Sequence, residues 1–149
     1  MSGETISPGR ILGLDVGERR IGIAISDETQ TLARSLTVLH RRSKAQDFEA
    51  LARLVREQKV AAIVVGLPLS SNGTEGQQAR RIRRYAVALS ERLTTPLIFY
   101  DESFSTVTAA GLMMASGRKR HDRRHCIDAV AAAVILQDYL DTCSQTPET

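Results

Sequence analysis

The sequence predicts one α/β domain on a mixed five-stranded sheet, in the order βββαβαβαα. Two observations predict it. Three strand-like segments fill the first forty residues with no helical pattern between them, and β-branched runs then alternate with stretches of helical period. The opening therefore reads as an antiparallel meander, and the later strands as parallel additions joined by helical crossovers.

Arg10–Val16 (RILGLDV) is a short apolar run suited to a strand buried on both faces. Gly17-Glu18-Arg19 is a turn. Over Arg20–Asp27, Ile21, Ile23 and Ile25 alternate with Gly22, Ala24 and Ser26, which makes a second strand with one large and one small face. Leu32–Leu39 is the third. Ser43 through Gln46 forms a capping-box pattern, and Phe48, Leu51, Ala52 and Val55 then share a helical face. Val60–Val65 is a β-branched strand leading into Gly66-Leu67-Pro68 and the loop Leu69–Gly73. Thr74 through Gln77 is a second capping box, followed by the stripe Ala79, Ile82, Ala86, Leu89 and Leu93. Pro96–Tyr100 reads as a strand, Thr106–Ala115 as a helix and Arg118–His125 as a basic loop. Ile127–Leu140 reads as a buried, Ala-rich final helix. The domain is expected to span residues 9–142, with 1–8 and 143–149 as flexible ends.

Composition narrows the class. The chain has 149 residues, 42% hydrophobic and 25% charged, which excludes wholesale disorder. No apolar run reaches the roughly 18 residues of a membrane span, and the first nine residues lack the apolar stretch of a signal peptide, so the expected compartment is the cytoplasm and no membrane partner is expected. Cys126 and Cys143 make no zinc spacing. The formal net charge is only +3, but arginine outnumbers lysine 17 to 3 and is clustered. The clusters are Arg19-Arg20, Arg41-Arg42 with Lys44, Arg80-Arg81 with Arg83-Arg84, and Arg118-Lys119-Arg120 with Arg123-Arg124. Guanidinium forks match phosphate oxygens, so this pattern suits a polyanion as well as a solvated face. With three Phe, three Tyr and no Trp, recognition by base stacking has little to work with, and phosphate and shape remain.

Three carboxylates stand at element ends. Asp15 interrupts an apolar strand, where it needs either a basic partner such as Arg19 or Arg20 or a divalent cation. Asp101-Glu102 follows a strand expected to be parallel, where α/β proteins gather ligands, although an acid there also starts a helix well. Asp128 falls in the first turn of the predicted last helix, favoured there by the dipole alone, yet its neighbours are apolar. If the three converge they need cations between them, an arrangement suited to two-metal phosphodiester hydrolysis. Gly17, Gly66 and Gly73 are candidates for cradling a phosphate with backbone N–H groups, or simply for turns. His121 and His125 are placed to protonate a leaving group or merely to add basic surface.

Four segments in register resemble the YqgF/RuvX family of ribonuclease H-like nucleases, described as pre-16S rRNA nucleases and Holliday-junction resolvases. They are LGLDVGERRIGIAISD (Leu12–Asp27), VVGLPLSSNGTEG (Val64–Gly76), DESFST (Asp101–Thr106) and IDAVAAAVILQDYL (Ile127–Leu140). The resemblance implies a ribonuclease H-like fold and an endonuclease using Mg²⁺ or Mn²⁺, two ions, held by Asp15, Glu102 and Asp128. It implies structured nucleic acid as partner, RNA ahead of branched DNA; the chain is expected to act as a monomer or, on a two-fold symmetric substrate, a homodimer. Arg20, Arg118, Lys119, Arg120, Arg123 and Arg124 are the expected backbone contacts. One position departs from the family: Ser103 stands where DERLTT or DERLST carries an arginine. A non-catalytic factor in ribosome assembly or transcription and a small-molecule phosphotransferase are the rival classes.

Overall fold

The computed structural model describes residues 9–68, 76–101 and 120–145, with the side chains of 101, 120–128 and 144–145 outside that description. Five strands, β1 (Arg10–Val16), β2 (Arg20–Ser26), β3 (Ala33–His40), β4 (Val60–Leu67) and β5 (Leu97–Asp101), form one sheet in the order β3-β2-β1-β4-β5. β1–β2 and β2–β3 are antiparallel, and β1–β4 and β4–β5 are parallel. Helices α1 (Lys44–Glu57), α2 (Gln77–Ser90) and α3 (Arg120–Gln145) complete the described elements. The mixed sheet is the expected one. The predicted helix Thr106–Ala115 lies outside the described residues.

Strand alternation sorts the core into two layers. Leu12, Leu14, Val16, Ile21, Ile23, Ile25, Ile63 and Val65 pack with α1 and α2 on one face. Ile11, Ala24, Val64 and Ile98 pack with Ala132, Ile135, Leu136 and Leu140 of α3 on the other. Ser43 caps α1 as predicted, its Oγ accepting from the Gln46 N–H at 3.1 Å. The cap of α2 is a correction: the helix begins at Gln77 with Gly76 as N-cap and no side-chain cap bond, two residues later than the Thr74 box predicts. Leu93 packs against the core from beyond the end of α2, whereas Tyr85, absent from the predicted stripe, is buried within it.

The last helix carries the larger corrections. It starts at Arg120, so Arg120–His125 is helical rather than loop, and Asp128 lies beyond the first two turns rather than in the first. It also runs to Gln145, so Cys143 is an exposed residue of α3 rather than part of a flexible tail. No Gly or Pro separates Gly117 from Pro147, and arginine is a good helix former. The apolar period that announces a helix is simply missing from the basic first turns. Among the described residues no helix is long and apolar enough to cross a membrane.

A buried carboxylate ties α1 to α2. Asp47, 3% exposed, accepts from the Arg42 N–H at 3.0 Å and from the Tyr85 hydroxyl at 3.1 Å. Burial, together with this carboxylate, pushes the Tyr85 hydroxyl pKa well above its ordinary value. Asp47→Ala leaves both donors unpaired and is expected to cost about 2–4 kcal/mol. Chemical denaturation measures it, and a loss below about 0.5 kcal/mol would contradict the assignment.

Candidate active site

β1, β4 and β5 all end at one edge of the sheet, and of the candidate residues Asp15, Gly17, Arg20 and Gly66 lie there. α1 and α2 both begin there, because each follows a strand that ends there. The direction of α3 follows from two contacts with β3. The Ala33 N–H donates to Gln137 Oε1 at 2.8 Å, and Ser35 Oγ donates to the Ala129 carbonyl at 3.2 Å. Moving along β3 toward the shared edge thus means moving back along α3. The N-terminal half of α3 thus reaches that edge and its first two turns run past it, while α1 and α2 begin at the edge with their positive dipole ends.

Asp15 is the penultimate residue of β1, half-buried on the face that α3 covers. Its antiparallel neighbour is Gly22, and one step beyond the Leu14–Val65 pair its parallel neighbour is Gly66. The acid is therefore flanked on both strands by residues without side chains. Behind it on the same face is Gly13, where a Cβ would come within 2.9 Å of Leu136 Cβ and 3.3 Å of the Ala132 carbonyl oxygen. Only glycine lets β1 and α3 approach this closely. Positions 128, 132 and 136 repeat every four residues and form one row along α3. Gly13 lies level with Ala132 and Leu136, so Asp15 and position 128 both lie one step nearer the edge.

β5 ends at Asp101, paired with Leu67 and two strand spacings, about 10 Å, from β1. Ile98 and Tyr100 of β5 lie on the α3 face. Glu102 is next in sequence and falls outside the described residues, as do Gly73, Ser103, Arg118 and Lys119. Arg120, Arg123, Arg124, His121 and His125 lie on the first turns of α3. Arg20 opens β2 opposite His40, at the same edge as Asp15. Among the described residues no three His, Cys, Asp or Glu side chains gather as a metal cluster, and Asp15 is the one predicted ligand whose side chain is described. The donor set nevertheless suits a hard divalent cation: Asp15, Glu102 and Asp128 offer carboxylate oxygens only, and no side chain projects at the two strand positions beside Asp15.

Gly17 closes the β1–β2 hairpin. Its N–H donates to the Arg20 carbonyl at 2.8 Å, and a Cβ there would lie 2.7 Å from that oxygen. The donor considered for a phosphate is thus used within the turn, while the Gly17 carbonyl accepts from Arg41 Nη1 at 2.7 Å. Gly66 is buried inside β4 and contributes the bare strand position beside Asp15.

The family described as "RuvX: Holliday junction resolvase" matches residues 9–142. The chain belongs to the RuvX family. Relatives named "Putative pre-16S rRNA nuclease" include one from Roseiflexus sp. (strain RS-1), 43% identical over 91% of this chain and 96% of its own length. Another, from Moorella thermoacetica, is 44% identical over 91% of this chain and 97% of its own. Among solved structures, T. thermophilus RuvC in complex with Holliday junction substrate superposes with a TM-score of 0.57 at 15% identity, covering 93% of this chain and 97% of that one. The fold is ribonuclease H-like, as the RuvX resemblance implies.

The sequence reading missed Asp47 as a buried acid. Its position in the first turn of α1 looks like ordinary dipole complementarity, and the burial depends on Tyr85, 38 residues away.

Proposed function

We propose that this phosphodiester endonuclease uses divalent cations held by Asp15, Glu102 and Asp128 to hydrolyse structured RNA in the cytoplasm, with the 5′ end of pre-16S rRNA as its substrate. One observation carries the reading: the Gly13 contact with Ala132 and Leu136 sets Asp15 and position 128 level at the shared strand edge, with glycines on both strands beside the acid. Glu102, the next residue in sequence after β5, whose strand ends at that same edge, is the third proposed ligand. The bound ions would supply an activated water and stabilisation of the leaving oxygen. The chain's own contributions are oxygen ligands on a rigid strand and helix, and basic groups that hold the phosphate backbone in register. Arg20 and the Arg118–Arg124 cluster are proposed for that hold, and residues 9–142 for the whole catalytic domain. The names of the relatives support RNA, and the scarcity of aromatic residues supports recognition by shape and phosphate.

The test is cleavage of pre-16S rRNA fragments and four-way DNA junctions in Mg²⁺, Mn²⁺ or EDTA. The expected result is cation-dependent cutting of the RNA precursor. Cutting confined to junctions would move the substrate to branched DNA, as the family's description has it. Binding without cleavage of any substrate would overturn the enzyme reading in favour of a binding factor.

A further inference from the structure

On the opposite face of the sheet from Asp15, one residue further along the chain, lies a cleft of about 280 Å³. The end of β1 and its turn (Val16, Gly17, Glu18), Arg41 and Lys44 at the start of α1, and Arg81, Arg84 and Tyr85 of α2 line it. Four cationic side chains and one carboxylate line this space. Two of the arginine clusters seen in the sequence, some forty residues apart, are thereby brought to a single place.

Arg41 is built into the wall. Its Nη1 donates to the Gly17 carbonyl at 2.7 Å, its Nε lies 3.9 Å from the buried Asp47 carboxylate, and its guanidinium stacks 4.3 Å over the Tyr85 ring. A guanidinium carries five N–H groups, and the Gly17 bond uses one. Fixing the fork in advance lowers the ordering cost of gripping an oxyanion. Lys44, Arg81 and Arg84 are exposed long side chains able to follow a moving ligand. Glu18 holds Arg81 at 3.3 Å, in the place an incoming oxyanion would take.

We propose that this cleft is a phosphate-binding subsite for the nucleic-acid backbone, with Arg41 as its fixed arm and Lys44, Arg81 and Arg84 as its adjustable ones. The proposal rests on the nucleic-acid reading above and adds where the strand runs: over the end of β1, from the Asp15 face to the α1–α2 face. Cations at both ends of that path suit a chain with one charge per nucleotide better than a single small anion. Glu18 then acts as a resident competitor that a phosphate displaces.

The test is fluorescence anisotropy of a labelled precursor RNA in EDTA, from 50 to 200 mM salt, using the full chain. For Lys44→Gln/Arg84→Gln, affinity at 100 mM salt is expected to fall about tenfold and the slope of log K against log salt to become shallower by about 1.5. Glu18→Gln should bind more tightly. Arg56→Gln/Lys59→Gln, at the opposite end of α1, removes equal charge and should leave the slope unchanged. If wild type binds and cuts while the Lys44/Arg84 variant matches it in slope and affinity, the cleft is not a subsite and the nuclease reading stands. If wild type shows no salt-dependent RNA binding, both readings fall. Inorganic phosphate binding lost in the Lys44/Arg84 variant, with RNA binding intact, would identify a small-anion pocket and overturn the proposal.

Discussion

Asp15→Asn is expected to lower cation-dependent cleavage at least about 100-fold while RNA binding in EDTA persists. The magnitude follows from removing one charge-bearing proposed ligand at the point where bound cations would stabilise the developing charge of the reaction. Binding should survive because the proposed phosphate contacts lie elsewhere, at Arg20, on the basic first turns of α3 and in the cleft around Arg41. Asn keeps the shape of the side chain in a strand whose neighbours at Gly22 and Gly66 cannot repack around it. Single-turnover cleavage and thermal melts on the same preparation separate chemistry from folding. A variant that folds and cuts at the wild-type rate would remove Asp15 from the reaction.

Gly13→Ala should damage the site without touching a ligand. The added Cβ meets Leu136 Cβ at 2.9 Å and the Ala132 carbonyl at 3.3 Å, and neither partner is the free end of a flexible side chain. α3 must move away from β1, at an expected cost of about 1–3 kcal/mol, or a fall in Tm of roughly 3–10 °C. Because that contact sets the level of Asp15 against position 128, cleavage by the folded fraction should drop further than RNA affinity does. Urea denaturation combined with cleavage measures both. Stability and rate both equal to wild type would show that the Gly13 contact positions nothing.

Much of the fold was legible because its signals are local. β1 and β2 announce themselves through RILGLDV and the Ile–Gly–Ile–Ala–Ile alternation, and the structure begins and ends them within a residue of that reading. Ser43 caps α1 by an oxygen three residues from its donor. α3 was half legible. Its Ala-rich part is buried and periodic, but Arg120–His125 carries no apolar period, and without a breaker the helix continues through it. Asp15 stood out because a charge in an apolar strand demands a reason. What the sequence withholds is what topology decides. Clusters at Arg41-Lys44 and Arg81-Arg84 are plain as runs of charge, but only the return of α1 and α2 to the same strand edge turns them into one cleft. Asp47 likewise reads as a helix-start acid until Tyr85 is placed over it.

The central claim is that Asp15, Glu102 and Asp128 share divalent cations at the end of β1. Titration of Mn²⁺ into the apo chain, followed by calorimetry, tests it with no substrate present. Wild type should bind saturably, with that binding abolished or weakened at least about tenfold in each of Asp15→Asn, Glu102→Gln and Asp128→Asn, and unchanged in Asp27→Asn, whose carboxylate is already occupied by the Thr31 and Leu32 N–H groups at 2.8 and 3.2 Å. Equal Mn²⁺ binding in wild type and all three site variants would contradict the account.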